Sequence, residues 1–221
     1  MDGVKIRRVR IRSSQRNCMA HYEPRDKFYR KARAQGLPSR AAFKLEEILE
    51  RFRLIRAGAR VVDLGCAPGG WLTILGQAVG PKGRVVGVDL SASDPPGSNI
   101  VTIAGDIRDS IMKTAVPNAL GGPADLVTSD LSPKLTGIAE RDQALSFELL
   151  EAALEFASGV LKPGAAMVAK FFMGGSFGEM RSRFEARFAR VEVVRTQASR
   201  PGSAELYIVA RSFRGLGPPQ R

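Results

Sequence analysis

Three aspartates and a glycine-rich turn stand where an α/β chain does its chemistry. The segment Val61-Val62-Asp63-Leu64-Gly65-Cys66-Ala67-Pro68-Gly69-Gly70-Trp71 carries an apolar strand into a glycine-rich turn and then into a helical pattern. In open α/β sheets, ligands sit beyond the carboxyl ends of such strands. The next apolar run ends Val86-Gly87-Val88-Asp89, and the third is followed by Gly105-Asp106-Ile107-Arg108-Asp109. An acid at position 89 can accept both hydroxyls of a ribose, and Asp106 could face an adenine amino group. One such aspartate alone is usually an N-cap or a solvated loop carboxylate. Three at successive strand ends, around one glycine turn, form a sharper signal. The dinucleotide fingerprint Gly-x-Gly-x-x-Gly is broken by Ala67 and Pro68, and no Gly-Lys-Ser/Thr loop occurs, so a pyrophosphate site is disfavoured. An acidic rim suits a positively charged, phosphate-free nucleoside cofactor, a description that S-adenosylmethionine fits.

Strands and helices must alternate to position these groups. Candidate strands are Arg60–Leu64, Arg84–Asp89, Ile100–Ala104, Asp125–Ser129, Ala165–Phe171, Arg190–Thr196 and Leu206–Ala210. Helical patterns fall at Trp71–Val79, Asp142–Leu161 and Phe177–Phe188. An earlier amphipathic helix starts after Ser39 as N-cap, with Phe43, Ile48 and Phe52 on or near one face. Such alternation implies a parallel sheet covered on both faces. The last two strand runs, joined only by Gln197–Glu205, predict an antiparallel hairpin at the end of the sheet. The expected architecture is one doubly wound, Rossmann-like α/β domain with a basic N-terminal extension.

Charge is unevenly spread. The chain of 221 residues carries 34 Lys and Arg against 22 Asp and Glu, a net +12. Residues 1–33 hold eleven of the cations against Asp2, Glu23 and Asp26, so +8 of the +12 lies there. A concentrated cationic arm beside a nearly balanced domain is the footprint of a polyanion binder. Short basic arms are also often mere solubilising tails, but Tyr22, Phe28 and Tyr29 interleave rings that can stack on bases. Met19 opens a segment that reads like a natural start, so residues 1–18 are expected to lie upstream of the native protein. The expected division is an arm over 1–33, a domain over 34–211 and a flexible tail over 212–221. Cys18 and Cys66 make neither a disulfide scaffold nor a zinc site, and His21 is the only histidine. A cytoplasmic, metal-free monomer without a membrane span is the expectation.

The motifs resemble, in order, those of the FtsJ/RrmJ (RlmE) family of RNA ribose 2′-O-methyltransferases. The resemblance rests on Leu37–Leu45, Asp63–Trp71, Ser129–Pro133, Val168–Phe171 and Ser199–Tyr207 and extends from about Tyr22 to Arg211. Cys66 stands where alanine is common in the family motif. The resemblance implies a seven-stranded, mostly parallel sheet with one antiparallel strand. It implies a Lys-Asp-Lys-Glu catalytic tetrad on Lys44, Asp130, Lys170 and Glu205. It also implies S-adenosylmethionine contacts among Asp63, Gly65, Gly69, Gly70, Trp71, Asp89, Asp106 and Asp130. The bacterial branch implies a uridine in the A loop of 23S ribosomal RNA, within the large ribosomal subunit.

The tetrad makes chemical sense from topology. Asp130 follows a strand, and Lys170 lies in an apolar run where an ammonium is costly without a partner or an open rim. Glu205 starts an antiparallel strand, which places it on the rim where parallel neighbours end. Methyl transfer to a ribose hydroxyl is an in-line displacement in which positioning does most of the work. The expected roles are Lys170 as base or hydroxyl orienter, Asp130 and Glu205 holding its ammonium, and Lys44 aligning substrate. Transfer RNA anticodon-loop methylation, a non-catalytic RNA-binding assembly factor and a nicotinamide dehydrogenase are the alternatives. The broken glycine fingerprint weakens the last.

Overall fold

The structure, a computed structural model, describes residue 34 and residues 41–91, 94–134, 136–174, 177–199 and 203–215. The basic arm, the Ser39 cap, Arg200–Gly202 and the chain beyond 215 lie outside the described residues. Among the described residues the order is α1 (Ala41–Phe52), β1 (Arg60–Leu64), α2 (Gly70–Val79), β2 (Arg84–Asp89) and β3 (Ile100–Ala104). There follow α3 (Met112–Leu120), β4 (Ala124–Ser129), α4 (Ala139–Val160), β5 (Leu161–Phe172), α5 (Phe177–Arg187), β6 (Phe188–Val194) and β7 (Glu205–Phe213).

One seven-stranded sheet runs β3-β2-β1-β4-β5-β7-β6. β3, β2, β1, β4 and β5 are mutually parallel, while β7 pairs antiparallel with both β5 and β6. The order reverses between β1 and β4, the switch point where such sheets open a ligand crevice. Strand side chains alternate between faces, and the core divides accordingly. Val62, Leu64 and Val127 pack with α3, α4 and α5. Val61, Leu126 and Val168 pack with α1 and α2. Both faces are therefore dry, as the near-continuous apolar strands require.

Every expected strand is present: β1, β2 and β3 have the expected bounds, while β4, β5, β6 and β7 have shifted ends. β5 starts earlier than expected: Leu161 pairs with Ala124, and pairing resumes at Leu126 with Ala166 across an irregularity that includes Gly164 at φ 82°. α3 had no counterpart in the sequence reading, because Pro117 interrupts it. Its signal is Met112, Val116 and Leu120, buried at four-residue spacing. β7 continues to Phe213, two residues past the expected domain limit at 211. Ser212 takes a left-handed backbone at φ 59°. Phe213 then joins Phe188 in the core, with ring centroids 5.3 Å apart, while Arg211 lies over the Phe52 ring beside α1. No helix among the described residues is long and apolar enough to cross a membrane.

Candidate active site

The carboxyl ends of β1, β2, β4 and β5 and the start of β7 meet on one rim. Register explains the gathering of charge there. Across the β5–β7 pair, Lys170 faces Tyr207 and Phe172 faces Glu205, so lysine, tyrosine and glutamate arrive together from opposite strand directions. The backbone N–H of Asp130 donates to the carbonyl of Leu64 at 3.0 Å, tying the end of β4 to that of β1. Lys44 reaches the same point from α1, which Trp71 anchors to α2 by donating its indole N–H to the carbonyl of Ala41 at 2.8 Å.

The expected tetrad is assembled, but as two ion pairs bridged by a residue the sequence reading left without a role. Lys170 Nζ lies 3.1 Å from Asp130 Oδ1 and donates to the Asp130 carbonyl at 2.9 Å. Lys44 Nζ donates to Glu205 Oε1 at 2.6 Å. The Tyr207 hydroxyl lies 3.2 Å from Glu205 Oε1 and 3.4 Å from Asp130 Oδ1, between the two pairs. Glu205 was expected to hold the Lys170 ammonium; it pairs with Lys44 instead. The reason is register, because Tyr207, not Glu205, is the residue opposite Lys170. Ser199 Oγ adds a donor to Glu205 Oε1 at 3.3 Å.

Electrostatics on this rim are strongly coupled. Lys170 and Lys44 keep only 9% and 12% of their side chains exposed, so their pairing takes place largely out of water. Burial pushes the Asp130 carboxyl upward, and the neighbouring Lys170 and Lys44 partly restore it. Burial, reinforced by Asp130 and Glu205, holds the Tyr207 phenol far above its ordinary range, so it remains a neutral donor. Asp63 is fully buried, and its pKa is pushed up to about 8 by that burial, with Asp130 and Asp89 adding to the shift. Thr128 donates to Asp63 Oδ1 at 2.7 Å, whereas Oδ2 is buried without a partner.

The glycine turn packs closely against the rim. Gly65 has φ 78°, and a Cβ there would lie 3.0 Å from the backbone nitrogen of Leu131. Gly69 has φ 99° and opens α2 with free space around it. Asp89 secures the turn: Oδ2 accepts from the Ala67 N–H at 3.1 Å and Oδ1 from the Ser91 N–H at 3.0 Å. Cys66 is received by Gly87, where a Cβ would come within 2.8 Å of its sulfur. Asp106 stands beyond β3 with its carboxylate gripped by the Arg108 backbone and guanidinium, which lowers its pKa to about 2.

The profile of the FtsJ-like methyltransferase family matches residues 37–213. The chain belongs to this family. A ribosomal RNA large subunit methyltransferase E of Anaeromyxobacter dehalogenans is 47% identical over 201 residues, covering 88% of this chain and 73% of its own length. The enzyme of the same name from Myxococcus xanthus is 42% identical, covering 90% of this chain and 94% of its own length. A solved ribosomal RNA methyltransferase of Plasmodium falciparum superposes with a TM-score of 0.71 at 25% identity, over 80% of this chain and 98% of that one. Fibrillarin of Aeropyrum pernix, solved with natively bound S-adenosylmethionine, shares the fold at a TM-score of 0.53 and 16% identity, over 71% of this chain and 68% of its own.

Membership in the FtsJ-like family makes S-adenosylmethionine the methyl donor, and the residues present suit it. Asp89 and Asp130 are near enough to Asp63 to add to the cost of its charge, which a sulfonium and an ammonium would relieve. The unpartnered Asp63 Oδ2 offers an acceptor. Leu90, directly after Asp89, is an exposed apolar side chain on this rim, 75% accessible. It escaped the sequence reading because a single leucine after a strand carries no periodic signal. No cluster of metal-ligating side chains occurs among the described residues.

Proposed function

We propose that this FtsJ-like chain methylates a ribose 2′-hydroxyl of large-subunit ribosomal RNA, a uridine in the A loop of 23S RNA. It acts as a monomer on cytoplasmic large-subunit particles. The observation that carries the reading is the connected chain Lys44–Glu205–Tyr207–Asp130–Lys170 beside the glycine turn. The names of the relatives that span nearly the whole chain support the substrate.

S-adenosylmethionine supplies an already electrophilic methyl group. Asp89 presents a carboxylate to the ribose of the cofactor, and Asp63 to its ammonium. Gly65 and Gly69 let the backbone approach closely. Asp106 reaches the adenine amino group, with Arg108 fixing its carboxylate. Lys170 has three N–H positions, and Asp130 occupies two of them through its side chain and carbonyl. The third position orients the attacking 2′-hydroxyl and, from a neutral amine, takes its proton. Asp130 stabilises the ammonium that forms. Tyr207 stands between the Asp130 and Glu205 carboxylates and shares its single hydroxyl proton between them. Lys44, fixed by Glu205, aligns the substrate from α1. An oriented hydroxyl roughly 3 to 3.5 Å from the methyl carbon is the geometry in which positioning contributes most to rate.

Transfer of labelled methyl to large-subunit particles, free 23S RNA and bulk transfer RNA, followed by nuclease digestion, tests this reading. Label in a 2′-O-methyluridine of 23S RNA is the expected result. Label confined to transfer RNA would move the substrate. No label in any RNA, from folded protein that binds the cofactor, would overturn the reading.

A further inference from the structure

We infer a second RNA-contacting site on the rim opposite the tetrad, a groove that takes phosphodiester backbone. The end of α1 and the turn after it, the starts of β4 and β5, and the paired parts of β6 and β7 enclose a groove of about 450 Å³. Arg53, Arg56, Lys162, Arg190 and Arg211 line it, with Asp125 as the one acid among its lining residues. Asp125 is shared by Lys162 at 2.5 Å and Arg56 at 3.5 Å. Arg211 pairs with Glu192 at the margin. Arg53 and Arg190 pair with no carboxylate among the described residues. Cationic charge is therefore left over.

Three further features set the groove apart from an ordinary solvated face. Arg190 and Arg211 are direct cross-strand partners, and like charges placed opposite one another destabilise a sheet; Glu192 offsets Arg211 alone. Arg211 Nε is buried with no hydrogen-bond partner, an uncompensated donor of a kind folded proteins rarely keep. Arg53 at φ 51° and Ser212 at φ 59° are the two non-glycine residues with a left-handed backbone among the described residues, and both line this groove. Strained backbone of this kind persists where function uses it. Guanidinium forks match phosphate oxygens, often through two parallel bonds. Cations contributed by several elements of an open groove suit an extended polyanion better than a compact ligand.

The proposal rests on the RNA-methyltransferase reading and extends it. A strand of five or six residues spans about 17–20 Å, so one RNA segment cannot occupy the tetrad and this groove unless it reaches past the sheet. The groove would then engage a second part of the same structured RNA and act on affinity, leaving the chemical step alone.

The test compares the full chain with an R53E/R190E variant on two RNAs. One is a long 23S fragment, and the other is a short stem-loop bearing the same target nucleotide. The expected result is a KM for the long fragment raised about tenfold, with kcat and S-adenosylmethionine affinity unchanged. The salt dependence of long-fragment binding should weaken by about one to two in log–log slope, since each phosphate neutralised by a cation adds roughly 0.7–0.9 to it. The short stem-loop should be methylated equally by both proteins. Arg190→Gln alone gives a milder version, expected to raise the long-fragment KM about threefold, if the double variant unfolds early. Unchanged KM and salt slope on the long fragment would overturn the groove while leaving the RNA reading intact. An equal loss on the short stem-loop would overturn it too, by placing the effect at the tetrad or in the fold. A loss seen only when ribosomal proteins are present would assign the groove to an acidic protein and overturn the RNA contact. A wild-type chain that methylates neither RNA, nor the same nucleotide in assembled large-subunit particles, would refute the functional reading itself.

Discussion

Lys170 and Asp63 show how differently one rim treats two charged groups. Lys170 is largely buried, yet Asp130 satisfies it twice. Replacement by methionine keeps the volume and removes the proton acceptor, so turnover should fall by about 10²–10⁴ while cofactor and RNA still bind. Single-turnover labelling together with a binding titration checks this, and wild-type turnover in Lys170→Met would remove the residue from the chemistry. Asp63 is buried with one oxygen unpartnered, and its pKa stands near 8 instead of 3.8. Between those values the native state holds a proton that the unfolded chain has lost. Stability contributed by this group is therefore present below about pH 4 and declines as pH rises towards 8, by at most about 1.4 kcal/mol per pH unit. Asp63→Asn should flatten that slope in denaturant unfolding from about pH 5 to 8. A bound cation beside Asp63 favours its ionised form, so S-adenosylmethionine should bind wild type more tightly at about pH 8 than at about pH 6. Asp63→Asn should lose that difference; equal pH dependence in both proteins would place the cofactor ammonium elsewhere.

At the scale of elements, local chemistry decides what the sequence makes legible. Strands buried on both faces write themselves as apolar runs, and β1, β2 and β4 were readable for that reason. α3 was not, because Pro117 masks a helix whose evidence is three apolar residues four apart. The end of β7 was misplaced because Ser212 resets the alternation before Phe213 enters the core. The tetrad residues followed from motif positions, but their pairing did not. Whether Glu205 meets Lys44 or Lys170 depends on a two-residue difference in the β5–β7 register, which no local pattern encodes. Tyr207 read as an ordinary strand aromatic for the same reason. The glycine turn does carry a local rule that can be tested. Gly65 and Gly58 have nearly equal positive φ, 78° and 80°, but only at Gly65 would a Cβ press on backbone, that of Leu131. Both Gly→Ala changes should lose about 1 kcal/mol or more for the left-handed backbone. Gly65→Ala should lose more and should also weaken cofactor binding, since the β1–α2 turn must shift away from β4. Unfolding curves and calorimetric titration separate the two costs, and equal behaviour of the two variants would show that the turn has room to spare.

The whole molecule is a nearly neutral catalytic domain with most of its excess charge outside it. Of the net +12, residues 1–33 contribute +8, while the rim of the domain proposed to receive the cofactor is rich in aspartate. Such a division makes sense if the acidic rim receives a cationic cofactor and the arm supplies general affinity for a polyanion. Cations bind phosphates with little regard to sequence, and the affinity they add falls steeply with salt. Deletion of residues 1–33 should therefore weaken RNA binding at low salt and flatten its log–log salt dependence by roughly 0.7–0.9 for each phosphate that the arm neutralises. Cofactor affinity should be unchanged, because Asp63, Asp89 and Asp130 all belong to the domain. The rate at saturating RNA should survive as well, since Lys44 and its partners lie after the deletion. The groove variant and the arm deletion then differ in signature. Loss of the arm should affect long and short RNAs alike, while loss of the groove arginines should affect only RNA long enough to pass the sheet. Equal salt slopes before and after deletion would show that the arm's eleven cations serve something other than the RNA.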